Sequence, residues 1–146
     1  MNNTHDPLKI SNQLCFPLYA ASREVIKAYK PFLEELDLTY TQYIAMMVLW
    51  ERKSVIVKEM GEMLYLDSGT LTPLLKKMEA KGLLTRTRST EDERNLVVKV
   101  TEAGMALREK ALDIPEKMRS CSRLTNEEAR TLYPILMKLL SMNEQE

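Results

Sequence analysis

One histidine and two cysteines among 146 residues are too few to supply the four nitrogen or sulfur ligands of a structural zinc site. The histidine, His5, stands in a polar stretch from Met1 to Pro7 that reads as frayed and solvated, and neither a metal nor a cofactor is expected. Four glycines and six prolines are too few for the many turns of a sandwich or barrel. Long apolar runs are missing too. The longest, Tyr43 to Trp50, falls far short of the roughly 20 residues a membrane helix needs, and Met1 to Ile10 has no signal-peptide core. No membrane partner is therefore expected, and the chain is assigned to the cytoplasm, where thiols are kept reduced. Net charge is also absent, with 21 basic residues balancing 21 acidic ones, so a general basic field is not what would hold a nucleic acid. What remains is 45% apolar and 29% charged, the composition of a soluble, mainly helical single domain.

Apolar residues recur at helical spacing from Leu8 to about Glu35. Pro17 has no N–H to donate, so this helix is expected to begin or restart near Cys15, where the first turn lacks intrahelical partners anyway. Thr39-Tyr40-Thr41-Gln42 has capping-box spacing and opens a second helix through about Trp50, central to the core. Trp50 and the ten methionines read as core filling. A short extended piece at Ser54 to Ile56 and a third helix from Val57 to Leu64 follow. The fourth helix starts within Asp67 to Thr70, tolerates Pro73 only because it lies near that start, and ends at Gly82. Leu83 to Arg88 and Asn95 to Val100 read as a hairpin with a polar tip that presents Arg94. Thr101 caps a fifth helix running to about Cys121 with a kink before Pro115. Thr125 to Glu128 makes a capping box for a sixth, with Leu132, Ile135, Leu136, Leu139 and Leu140 in one stripe and a bend at Pro134.

Two helices joined by a short turn, the second opening on small hydroxyl residues, suit the major groove of DNA. Ser68, Thr70 and Thr72 can donate to phosphates or base edges from the first turn, and a helix N-terminus favours an anion. Lys76 and Lys77 follow one to two turns later, within reach of phosphate or a guanine edge. The hairpin would place Arg94 in the neighbouring minor groove, with Arg88 and Asp92 beside it. Ser68 to Val100 holds seven basic residues against four acidic ones, a modest local footprint that a neutral protein can carry.

The run Asp67-Ser68-Gly69-Thr70-Leu71-Thr72-Pro73-Leu74-Leu75-Lys76-Lys77-Met78-Glu79, followed by Gly82-Leu83 and Asp92-Glu93-Arg94-Asn95, resembles the MarR family of winged-helix repressors. The amino-terminal part resembles its OhrR branch. The resemblance covers nearly the whole chain and is weakest after Pro115. It implies one domain over residues 1–146, with the winged helix-turn-helix at about 54–100. Dimerisation helices would lie at about 8–35 and 101–145, formed by the first helix and the last two. It further implies a homodimer whose recognition helices enter successive major grooves of a pseudo-palindromic double-stranded operator, with Asp92 bracing Arg94 at the wing tip.

Cys15, Tyr19, Ser22, Ile26 and Tyr29 share one helical stripe, with Tyr40 at the entrance of the next helix. A phenol can donate to a thiolate, and peroxides oxidise thiolates to sulfenic acid. Taken alone, Cys15 would read as a small buried hydrophobe. The segment Leu14-Cys15-Phe16-Pro17-Leu18-Tyr19 resembles the family's peroxide-sensing site, which implies that Cys15 is oxidised by an organic hydroperoxide. The tyrosines matching Tyr29 and Tyr40 hydrogen-bond to it there, with Phe16 and Tyr19 completing the pocket. In the family's two-cysteine class a carboxy-terminal thiol of the other subunit resolves the sulfenic acid. Cys121 suits that role, the alternative being an inert thiol. Release of the operator would follow. Another reading keeps Cys15 structural and has a small phenolic ligand in the dimer cleft release the DNA. An enzyme is not expected: the alternating strand-helix pattern of a thioredoxin-type peroxidase is missing, and some 40 residues serve the DNA reader.

Overall fold

The computed structural model describes residues 6–144; His5 lies outside them. The chain divides into two compact units, one reaching to Ile114 and one from Pro115 onward.

A 3-10 turn at Ile10–Asn12 precedes α1, Cys15–Glu34. The restart at Cys15 puts Pro17 in the first turn, where its missing N–H costs no bond. Pro31 sits within the helix near its end. The chain then turns at Asp37, whose φ of 53° is left-handed, and Leu38 N–H closes back on Leu33 O at 3.1 Å. Thr39 caps α2, Tyr40–Arg52, through a complete capping box with Gln42. Most of the apolar run on α2 is buried, as expected: Tyr43, Ala45, Met46, Val48, Leu49 and Trp50 lie inside, while Met47 is 46% exposed. Trp50 Nε1 donates to Gly104 O at 2.9 Å, so the indole is both packed and satisfied.

The extended piece at Ser54–Ile56 (β1) is a third strand of the wing. It pairs antiparallel with β3, Leu96–Val100, whose other edge holds β2, Leu84–Arg88. Val55 faces Val98, and Leu84 faces Val100. Helices α3, Val57–Leu64, and α4, Ser68–Ala80, form the helix-turn-helix. Leu71, Leu75 and Met78 recur at helical spacing and are at most 1% exposed. They pin α4 by one face and leave the opposite face outside. Gly82, at φ 77°, closes α4 with bonds from Gly82 N–H to Glu79 O and from Leu83 N–H to Met78 O, a left-handed cap that glycine adopts without strain.

The expected long fifth helix is two helices. α5 spans Glu102–Ala111, and α6 starts afresh at Ile114–Cys121. Pro115 cannot donate to the carbonyl of Ala111 and disfavours α conformation at Ile114, so the ladder ends and restarts with proline in a first turn. In the second unit α7, Asn126–Leu140, carries the full Thr125–Glu128 capping box and continues through Pro134 as one element. Its apolar stripe has no buried member: Leu132, Ile135 and Leu140 are all exposed.

Candidate nucleic-acid interface and thiol site

The first turn of α4 is built around Asp67, whose carboxylate accepts from Thr70 N–H at 2.7 Å. That bond, with lesser help from the Thr70 side chain, holds the Asp67 carboxyl below the usual carboxylate range and keeps the cap in place at neutral pH. Ser68 and Thr70 are exposed just beyond it, Thr72 is half-buried, and Lys76 and Lys77 are exposed further along. All five predicted residues therefore sit on or beside the outward face of α4.

The wing tip is ordered by short-range bonds. Ser89 Oγ accepts from the N–H groups of Glu91 and Asp92, and Arg88 Nη1 donates to Glu93 O at 3.2 Å. Asp92 takes three bonds from Arg94: from its backbone N–H and Nε at 3.1 Å, and from Nη2 at 3.0 Å. The guanidinium lowers the Asp92 carboxyl pKa and is itself raised by the pair. A carboxyl depressed in this way stays ionised through neutral pH and lets go only in acid. Arg94 remains 90% exposed at its side chain, a pre-aimed cation. A cleft of about 450 Å³ lies between wing and helix, with Ser68, Thr72 and Arg94 in its lining.

Beyond the wing-tip bonds of Arg88 and Arg94, two more of the seven basic residues counted between Ser68 and Val100 are tied to other elements of the protein, which charge counting could not reveal. Arg86 donates its backbone N–H and its guanidinium to Glu79, at 2.9 and 3.2 Å, and so ties β2 to α4. Lys81 turns to the α1–α2 junction. The cations left facing outward are fewer than the sequence suggests, and they are concentrated on α4 and the wing tip.

Two of the tyrosines named from the sequence come together, with one addition. Tyr29 and Tyr40 have ring centroids 5.0 Å apart, and Tyr43 joins them at 5.8 and 6.3 Å. Tyr43, three residues after Tyr40, shares its helical face, a signal obscured by its place in the apolar run. Burial raises all three phenol pKa values, helped at Tyr29 by Tyr40 and Tyr43 and at Tyr43 by Tyr40. They remain protonated, and hence hydrogen-bond donors, across physiological pH.

Cys15 is exposed at the start of α1. The shared stripe does not bring it to Tyr29: fourteen residues at 1.5 Å per residue place them about 21 Å apart along α1. The phenols do not reach the sulfur of their own chain. Tyr19 is occupied elsewhere, its hydroxyl accepting from Arg23 Nη1 at 3.4 Å with the guanidinium 5.6 Å from the ring centre. An open groove of about 920 Å³ runs along α1 and takes in Phe16, Tyr19, Ile26, Leu33, Leu38 and Tyr40. Cys121, at the end of α6, is exposed and unbridged. No group of three or more His, Cys, Asp or Glu is placed to hold a metal among the described residues, and no helix there is long and apolar enough to cross a membrane.

Comparison with known proteins agrees with this geometry. A family model described as transcriptional regulator SarA/Rot matches residues 27–111. The organic hydroperoxide resistance transcriptional regulator of Bacillus subtilis (strain 168) is 52% identical over 145 residues, 99% of each chain. The HTH-type transcriptional regulator SarZ of Staphylococcus aureus (strain USA300) is 42% identical over 134 residues, 92% of this chain and 90% of that one. Among solved structures, AbfR, a protein of Staphylococcus epidermidis, matches in its reduced, DNA-bound form with a TM-score of 0.76 at 32% identity, covering 93% of this chain and 95% of that one. Its disulfide-formed structure matches with a TM-score of 0.65 at 33% identity, over 90% and 92%. These relatives are regulators and not enzymes. The chain belongs to the MarR family of winged-helix transcriptional regulators and, within it, to the DNA-binding regulators of the organic hydroperoxide resistance type.

Proposed function

We propose that this regulator is a cytoplasmic homodimeric repressor that releases its operator when an organic hydroperoxide oxidises Cys15. The observation that carries the reading is the separation along α1 of an exposed thiol, Cys15, from Tyr29, which packs with Tyr40 and Tyr43 of α2 in a cluster of protonated phenols. Each half of the site lacks what the other supplies, and a second copy running antiparallel along α1 would bring Cys15 of one chain to Tyr29 and Tyr40 of its partner. The exposed apolar residues along α1, among them Leu14, Leu18 and Val25, supply area that such an association would bury, and α7 by itself leaves Leu132 and Ile135 exposed. The largely apolar groove along α1 suits an alkyl or aryl tail.

In the step proposed, the Cys15 thiolate attacks the terminal oxygen of the hydroperoxide, the O–O bond breaks, and the alcohol leaves with a proton, giving a sulfenic acid. Cys121 of the partner chain then displaces water from that sulfur as the disulfide forms. A solved relative, AbfR, is known in a disulfide-formed state, which supports this second step. Moving from nearly full to nearly empty operator requires the two forms to differ by about 5.5 kcal/mol. A covalent rearrangement of the dimer can supply that difference.

Non-reducing electrophoresis of wild type, Cys15→Ser and Cys121→Ser after one equivalent of cumene hydroperoxide, with DNA binding followed in parallel, tests the reading. A covalent dimer that requires both cysteines and appears with loss of binding is expected. Loss that needs Cys15 alone would leave Cys121 as packing. A Cys15→Ser protein that still releases DNA on adding a small phenolic compound would replace the redox reading with a ligand-cleft one.

A further inference from the structure

The recognition helix is held at its far end by contacts to the α1–α2 turn. Lys81, which caps α4, sends its ammonium to the α1–α2 turn. There it donates to the backbone carbonyl of Asp37 and to Gln42 Oε1 at 3.4 Å, with the Asp37 carboxylate 3.4 Å away. Asp37 occupies the left-handed position of that turn. Gln42, 4% exposed, is the polar residue of the core among the described residues. Its Oε1 also accepts from Thr39 N–H at 3.1 Å and so completes the cap of α2, whose first residue is Tyr40. Lys81, Gln42, Thr39 and Tyr40 therefore make an unbroken run of bonded neighbours from the phenol cluster to the recognition helix.

Both ends of this run are stiff. The left-handed cap at Gly82 ties the last turn of α4 to the chain beyond it, and α4 behaves as a rod of 13 residues, about 20 Å long at 1.5 Å per residue. Such a hydrogen-bonded rod would carry a shift at its capped end toward Ser68 and Thr70. At the other end, Tyr40 cannot move without the Thr39–Gln42 box that it opens.

We propose that Lys81 is the positioning residue through which displacement of Tyr40, when Cys15 is oxidised, reaches the recognition helix. The proposal rests on the redox reading above. Lys81→Met keeps the length of the side chain and removes its donors; Lys81→Arg retains a donor able to reach the same carbonyl. Operator affinity of wild type and both variants is measured reduced and after cumene hydroperoxide, across a salt series, with the extent of Cys15 oxidation read by mass spectrometry.

Lys81→Met should oxidise at the wild-type rate and bind reduced operator within about threefold of wild type with an unchanged salt slope, while the reduced-to-oxidised affinity ratio falls at least tenfold. Lys81→Arg should restore most of that ratio. An unaltered ratio in Lys81→Met overturns the proposal. A salt slope lower by about one per lost cation would make Lys81 a phosphate contact, and a reduced affinity that drops together with the melting temperature would make it a plain structural tie; either result also overturns it. If wild type keeps its operator after Cys15 is oxidised, the redox reading itself has failed, an outcome distinct from all of these.

Discussion

Arg94→Ala is the sharpest test of how the wing meets DNA. Its guanidinium is already held in one orientation by two bonds to Asp92, with a third from the Arg94 backbone N–H, and its side chain is 90% exposed. A cation so placed in the minor groove neutralises backbone charge, and each phosphate neutralised adds about 0.9 to the slope of log K against log salt. A dimer presents two wings, so the variant should lose about 1.8 from that slope. Between 50 and 200 mM salt, a fourfold change, wild type would then lose about 12-fold more affinity than the variant. The deficit of the variant should be largest at low salt and shrink by that factor at high salt. Fluorescence anisotropy of a labelled operator at four or more salt concentrations measures both lines. Parallel lines would refute the argument. If they came with a reduced preference for operator over random duplex, Arg94 would be reading a base edge instead.

Other consequences follow from the same geometry. On the proposed reading, Tyr29→Phe combined with Tyr40→Phe should slow oxidation of Cys15 about three- to tenfold with reduced-state DNA binding unchanged, because the variant removes the phenol donors that the partner's sulfur would meet. Stopped-flow loss of free thiol measures it, and an unchanged rate would remove the phenols from the site. Because burial raises the phenol pKa values, the unfolded chain ionises first, so stability should fall as pH rises through the unfolded value of about 10. The urea midpoint of Tyr40→Phe should drop less between pH 9 and pH 11 than that of wild type, and equal drops would contradict the burial argument. Gly104→Ala places a methyl group on Leu83 O and 2.8 Å from Val100 Cγ2, beside the Trp50–Gly104 bond. Such overpacking costs about 3 kcal/mol and should lower the melting temperature by roughly 6–12 °C; a change under 2 °C would show that the contact relaxes freely.

Local chemistry fixed most of the elements in advance. Thr39 with Gln42, Thr125 with Glu128, and Gly82 mark helix ends because they satisfy or terminate backbone groups within a few residues of themselves, without help from the rest of the fold. The periodic Leu71, Leu75 and Met78 likewise announce which face of α4 turns inward, and so which residues face out toward DNA. Pro115 was legible as a disturbance; whether it kinks or breaks the helix depends on whether Ile114 finds a core to enter, and it is 2% exposed.

Long-range partners were decided by the tertiary structure alone. Arg86 and Lys81 looked like free cations until folding set Glu79 beside one and the Asp37 turn beside the other, since a charge count carries no information about distance. The edge of β3 that accepts β1 is similarly a matter of register between segments over forty residues apart. The thiol site divides along the same line. Helical period determined from sequence that Cys15 and Tyr29 share a face, and the rise per residue already forbade their contact within one chain. Only packing α1 on α2 assembled Tyr29, Tyr40 and Tyr43 into a cluster whose partial burial holds the phenols protonated.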